Sequence, residues 1–121
     1  MSVKDRPNLL AILEAVTKIE EFTKGVVSAA EYYETQIVLD ATLMNFIVIG
    51  EMVDRISVDL KERYSDVDWQ KIKDFRNIVA HDYLGIDAEE VWQIIQNHLP
   101  KLRTDIERII AELSAENDLR K

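Results

Sequence analysis

An all-α fold is what this sequence predicts, and three observations predict it. Apolar residues recur at three- and four-residue steps over long stretches. Three glycines and two prolines in 121 residues are too few for a turn-rich β fold. Apolar residues make up 47% of the chain, enough for a packed core and too many for a disordered chain. The length suits one domain over residues 1–121, with no room for a second core. Four or five helices in a bundle is the natural sum.

The first helix is expected from about Pro7 to Lys24. Pro7 suits a first helical turn, and Leu9, Ile12, Leu13, Val16 and Ile19 share one face before Gly25 stops it. Ser28 and Glu31 have the spacing of a capping box. The helical pattern after them runs to about Ile56, with a break near Glu34 or Thr35. Its middle, Ile37 to Gly50, is apolar almost all round, which predicts a central helix covered on several sides. Gly50 costs roughly 1 kcal/mol relative to alanine inside a helix, so it is expected to admit another backbone closely.

The polar stretch from Ser57 to Asp68 has Leu60 and Tyr64 as its anchors. Asp68 is placed to cap a helix from Trp69 to about Leu84, ended by Gly85. Asp87-Ala88-Glu89-Glu90 opens a last helical region reaching Leu113, which Pro100 should kink or divide. The tail from Ser114 is polar and is expected to fray.

Composition excludes several classes of function. There is no cysteine, hence no disulfide framework and no thiolate metal site. The two histidines lie far apart and no acidic cluster has metal-ligand spacing, so neither a metal nor a cofactor is expected. No Gly-rich phosphate loop is present, nor a Gly-Ser followed by paired aspartates, which argues against a nucleotidyltransferase. Met1 to Pro7 is charged and polar, unlike a signal peptide, and no run approaches the roughly 20 apolar residues that span a bilayer. A cytoplasmic protein without a membrane partner is the expectation. Net charge is −8, with 23 acidic against 15 basic residues, which counts against a nonspecific nucleic-acid coat but leaves room for one local RNA site.

The chemistry-bearing segment is Asp74-Phe75-Arg76-Asn77-Ile78-Val79-Ala80-His81-Asp82-Tyr83. On a helix, Ile72, Phe75, Ile78 and Val79 gather on one side, with Tyr83 at its edge. Arg76, Asn77, Ala80 and His81 lie along an opposite arc of roughly 140°. Such a surface suits RNA cleavage without a metal. A 2′-hydroxyl must lose a proton to attack phosphorus, and the leaving 5′-oxygen must gain one. Histidine, with a reference pKa of about 6.5, serves either step at neutral pH. The arginine fork can hold the phosphate and the charge that grows on it. One histidine per chain cannot be acid and base at once, whereas two copies related by a two-fold axis supply both. The plainer reading makes His81 a cation at a helix end and pairs Arg76 with Asp74 or Asp82.

Arg76-x-x-x-x-His81-x-Tyr83 resembles the R-x-x-x-x-H-x-Y signature of HEPN proteins of the HepT family. Arg76-Asn77 and His81-Asp82-Tyr83 also follow its usual local form. Asn45-Phe46-x-x-Ile49-Gly50-Glu51, Trp69, Gly85-Ile86-Asp87, Val91-Trp92 and Leu99-Pro100 extend the similarity over most of the chain. The resemblance implies a homodimeric bundle of about five helices with the motif at the dimer interface. It implies a metal-independent endoribonuclease that cuts messenger or transfer RNA, the toxin of a type VII-like toxin–antitoxin pair. Arg76 and His81 would be its catalytic pair, and Asn77 a supporting residue. The implied partner is a minimal nucleotidyltransferase of the MntA kind, which neutralises the toxin by attaching AMP to Tyr83. AMP there would set bulk and negative charge beside Arg76. A non-catalytic helical adaptor, or a regulatory partner and substrate of the nucleotidyltransferase, is the alternative.

Glu51 and Asp54 follow Gly50 and are read as residues that orient Arg76 or His81, Glu51 ahead, or else as a solvated helix end. Asn45 is expected as a hydrogen-bonded core residue. Lys61, Arg63, Lys71 and Lys73 flank the motif either as an RNA track or as a solvated face. Trp69 and Trp92 are packing residues, and His98 is placed near a helix end without a catalytic role.

Overall fold

The computed structural model describes residues 3–82 and 85–120, the side chains of 82 and 118–120 aside. Among them the chain forms seven helices and no strand: α1 (Asp5–Thr23), α2 (Ala29–Glu34), α3 (Gln36–Arg55), α4 (Val58–Arg63), α5 (Trp69–Asp82), α6 (Ala88–Asn97) and α7 (Leu99–Arg120). The all-α expectation stands. The count exceeds four or five because the expected break at Thr35 splits off a short α2 from the helical region that Ser28 opens, and a short α4 forms in the stretch read as a polar connection.

Each boundary has a local cause. Ser28 Oγ accepts the Glu31 N–H at 3.2 Å, and the Glu31 carboxylate reaches back to the Val27 N–H at 3.3 Å, one residue before the usual capping-box partner. Thr35 leaves helical geometry and separates α2 from α3. Ser57 caps α4 through the Leu60 N–H. The buried Asp5 carboxylate accepts from both the Ser57 N–H at 2.9 Å and its hydroxyl at 2.6 Å, tying the start of α1 to the start of α4. Pro100 falls in the first turn of α7, so it divides the last helical region at His98 rather than kinking it. The tail does not fray at Ser114, since α7 continues through it to Arg120.

α3 lies at the centre, packed most extensively on α1 and α5. Leu39, Leu43, Phe46, Ile49 and Val53 on α3 meet Leu9, Ile12, Val16 and Ile19 of α1 in one core, which Ile106 and Ile109 of α7 close. Each fully buried aliphatic side chain contributes roughly 1.5–3 kcal/mol. Contrary to the sequence expectation, α3 is long and apolar enough to cross a membrane by length and composition. Its packing accounts for one side of that apolarity. The other side is bare in the single chain, with Ile37 84% and Met44 59% exposed.

Tyr32 is fully buried against Trp92, ring centroids 5.5 Å apart, and its hydroxyl has no hydrogen-bond partner of good geometry among the described residues. Thr42, nearby, donates its own hydroxyl to the Val38 carbonyl at 2.6 Å. Burial pushes the Tyr32 phenol up to about 12, against a smaller opposing effect of Thr42. Below pH 10 the phenol is neutral in both states and its contribution is whole. As pH rises from 10 through about 12, the unfolded chain ionises first and that stability is lost. Tyr32→Phe should therefore change stability at pH 7 by less than about 1 kcal/mol, removing a hydroxyl that has no well-formed hydrogen bond among the described residues. Urea titrations at pH 7 and pH 11 should show the variant losing less stability at the higher pH than the parent chain.

Candidate functional site at the α3–α5 seam

α5 begins where Asp68 accepts the Lys71 N–H at 3.0 Å, as expected of its cap. Val79 is buried and Ile72 packs against the core, which turns this side of α5 inward. Arg76 sits at the inner rim, facing α3. A Cβ built on Gly50 would run into Cβ and Cγ of Arg76, so the missing side chain is the space through which the arginine stem passes. The sequence predicts another backbone close to Gly50; what approaches it is instead the side-chain stem of Arg76 on α5.

The guanidinium is held on three sides. Nε donates to Asn77 Oδ1 at 2.9 Å, Nη2 to Asp54 Oδ2 at 2.9 Å, and Nη1 to Glu51 Oε1. Lys73 Nζ lies 3.1 Å from the other oxygen of Asp54. Glu51, Arg76, Asp54 and Lys73 thus form a line of alternating charges across the seam. Desolvation works against the Arg76 charge, but Asp54 and then Glu51 outweigh it and hold the group above its ordinary range. Desolvation likewise works against the Asp54 carboxylate, and Lys73 with Arg76 reverses it, keeping the carboxyl below its ordinary value. A guanidinium has five N–H donors, so two of them, the second on each Nη, have no partner among the described residues and can meet an anion.

His81 lies in the last turn of α5, about 140° around and about 7.5 Å along the axis from Arg76. It is exposed, and its side chain makes no hydrogen bond with the described residues. Exposed Asn77 and Ala80 share its arc. The sequence reading put Arg76 on that outer arc too. The structure instead lays its side chain in the seam, 15% exposed, because Gly50 leaves room and two carboxylates wait there. The arginine does not pair with Asp74, which accepts from Gln70 at 2.9 Å, and the side chain of Asp82, the other candidate partner, lies outside the described residues. Glu51 holds Arg76, and so does Asp54, which the reading ranked second. Tyr83 lies outside the described residues.

The remaining residues sort plainly. Arg63 pairs with Glu116 and Lys73 with Asp54, so these two cations are committed to carboxylates. Asn45 donates to the Ala41 carbonyl at 2.8 Å, and Trp69 donates to the Tyr64 carbonyl at 3.1 Å from a buried position. Among the described residues no group of three or more His, Asp or Glu side chains is arranged to hold a metal ion.

Gly50→Ala tests the seam. Helix propensity would favour alanine by about 1 kcal/mol. Overpacking against Cβ and Cγ of Arg76, which cannot swing aside, costs typically 1–3 kcal/mol. Urea denaturation should show a net loss of stability, and a gain would mean that α3 and α5 are less tightly apposed than described.

Comparison with known proteins points to one family. The family model described as ribonuclease HepT-like matches residues 12–109. A Methanocaldococcus jannaschii protein named as a candidate RNase is 32% identical over 108 residues, 88% of this chain and 98% of its own. A Thermococcus cleftensis protein named as a candidate ribonuclease HepT is 26% identical over 98 residues, 81% of this chain and 88% of its own. Another M. jannaschii protein, named as a gamma-glutamylcyclotransferase and candidate RNase, is 28% identical over 102 residues. That match takes in 84% of this chain and 46% of the relative, so the chain spans about half the length of that protein. No solved structure matches the chain significantly. A match over most of the chain, including both helices of the Arg76 seam, makes this protein a member of the HepT-like family of HEPN ribonucleases.

Proposed function

We propose that the chain is an endoribonuclease that cuts RNA with Arg76 and His81 and without a metal. The observation that carries this is the pairing of a fixed guanidinium with an exposed imidazole on one helix. Arg76 is preorganised by Asn77, Glu51 and Asp54, and its two uncommitted N–H groups can meet the phosphate as charge develops there. His81 is exposed to solvent, where it can move a proton. Proton transfer and charge stabilisation are all that attack by a 2′-hydroxyl requires.

The composite site needs a second copy. Ile37, Met44 and Glu51 follow one another at seven-residue steps, so the bare apolar stripe of α3 runs up to the carboxylate that holds Arg76. Ile78, 37% exposed, extends the apolar surface onto α5. A two-fold pairing through this stripe would bury it and bring two copies of His81 to one cleft. In that arrangement one imidazole takes the 2′-proton while the other protects the leaving oxygen with a proton. The toxin role, and neutralisation by a minimal nucleotidyltransferase that transfers AMP to Tyr83, complete the proposal. They rest on family membership and on Tyr83 standing two residues after His81. The adaptor alternative draws on the acidic balance and on the carboxylates that already occupy Arg76.

Purified protein should cleave RNA in the presence of EDTA. Arg76→Ala and His81→Ala should each lose about a hundredfold or more, and Arg76→Lys should not restore the rate because lysine lacks the planar fork. Equal cleavage by all of them would mean a contaminant and would favour the adaptor. Met44→Asp should convert a dimer to monomer in analytical ultracentrifugation and abolish cleavage together with it; an active monomer removes the composite site. After co-expression with a nucleotidyltransferase partner, mass spectrometry should find AMP on Tyr83, and an unmodified tyrosine beside an active partner ends that part.

A further inference from the structure

On the arc of α5 opposite Asn77, the helix does not close against its neighbours. α3, α5 and the α6–α7 junction leave a cavity of about 330 Å³ between them. Phe46 and Ile49 of α3 form part of its wall, with Phe75 and Lys71 from α5 and His98 and Leu102 from the far side. A smaller apolar cleft shares Phe46, Phe75 and Ile94 as lining residues.

The lining has a definite chemistry. The His98 ring stands beside Phe75, centroids 5.9 Å apart and planes tilted by 56°. Its backbone fixes it there, since the His98 N–H donates to the Ile94 carbonyl at 2.9 Å and its carbonyl accepts from Leu102 at 3.1 Å. The rim carries two carboxylates and two ammonium groups. Asp68 is engaged in capping α5, and Asp105 pairs with Lys101 at 2.8 Å and faces Arg108 at 3.8 Å. Lys71 makes no ion pair among the described residues. An apolar, ring-lined floor below one uncommitted cation is complementary to a flat apolar body with one negative group. The volume lies at the small end of ligand sites, which admits one fused ring system and excludes a helix or a run of nucleotides.

We infer that this cavity is a second binding site, taking a small planar aromatic anion whose rings lie against Phe75 and His98 and whose charge meets Lys71. It is distinct from the Arg76 seam and independent of the RNA-cleavage reading. Its walls nevertheless include Phe75 and Ile49, the chain neighbours of Arg76 and Gly50.

The test uses the full chain and three probes: 1-anilinonaphthalene-8-sulfonate, AMP, and the uncharged N-phenyl-1-naphthylamine. Calorimetry and dye fluorescence should show one saturable site per chain for at least one of the two anions, with a dissociation constant on the order of tens of micromolar. Binding of AMP would identify a nucleotide site, and binding of the sulfonate alone a site for other aromatic anions. Lys71→Gln should weaken the anion roughly two- to fivefold, the scale of one solvent-touched ion pair, and leave the neutral dye unchanged. Leu102→Trp should fill the cavity and abolish binding of all three. Should that variant fold poorly, the ring resonances of Phe75 and His98 in the parent chain should shift on adding the anion. No saturable binding by either anion, binding that survives in a folded Leu102→Trp variant, or anion affinity untouched by Lys71→Gln would each overturn the proposal, as would unshifted Phe75 and His98 resonances.

Discussion

The approach of α5 to α3 at Gly50 governs the rest of the site. Two helices with ordinary side chains at their crossing would stand farther apart, and an arginine on the rim of one would swing outward to water. Here the stem of Arg76 crosses the gap that Gly50 leaves, which aims the guanidinium along α3 toward the residues that follow the glycine. Glu51 is the next residue and Asp54 lies one turn on, so both carboxylates reach it from a single helix. Asn77, the next residue on α5, closes the third side. The glycine is thus a positional requirement of the arginine, and its cost in helix propensity is offset by what its absence of bulk permits.

The ion pairs contribute direction more than stability. Glu51 is half exposed and Asp54 about a third, so solvent screens both, and pairs of this kind are worth about 0–1 kcal/mol each. What they do is remove the freedom of a long side chain before any substrate arrives, which is the condition under which a fixed charge is effective. They also set a threshold. Glu51, Arg76, Asp54 and Lys73 sum to no net charge, and the chain as a whole carries −8. On the proposed reading, long-range attraction would do little to draw RNA in, and geometry at the remaining N–H groups would select a phosphate held in the right pose.

Much of this was legible in the sequence, and the failures have a common form. Caps at Ser28, Asp68 and Asp87 follow from side chains that satisfy nearby N–H groups, a local matter that one strand of text contains. The central role of α3 followed from apolarity all round. Periodicity could not say which apolar side lacks a neighbour, and the bare stripe of Ile37 and Met44 appears only once α1 and α5 have taken their places. The helical wheel of α5 grouped Arg76 with His81 because a wheel knows nothing of the helix opposite. The clue lay elsewhere, in Gly50, and pointed to proximity without naming what would use it. The cavity beside His98 gave no signal at all, since its walls come from positions 46 to 105 and no local pattern joins them.

The same helix presents different chemistry on its two sides, and the division follows from its sequence. Lys73, Asn77 and His81 recur at four-residue steps and form one polar stripe, while Ile72, Phe75 and Val79 recur at three and four and form the inner one. Arg76 is adjacent to Phe75 in the chain and to Gly50 in space, so it belongs to the boundary between the stripes. The side chain that reaches across to α3 therefore stems from the rim of α5, while His81 stands on the outer, exposed stripe.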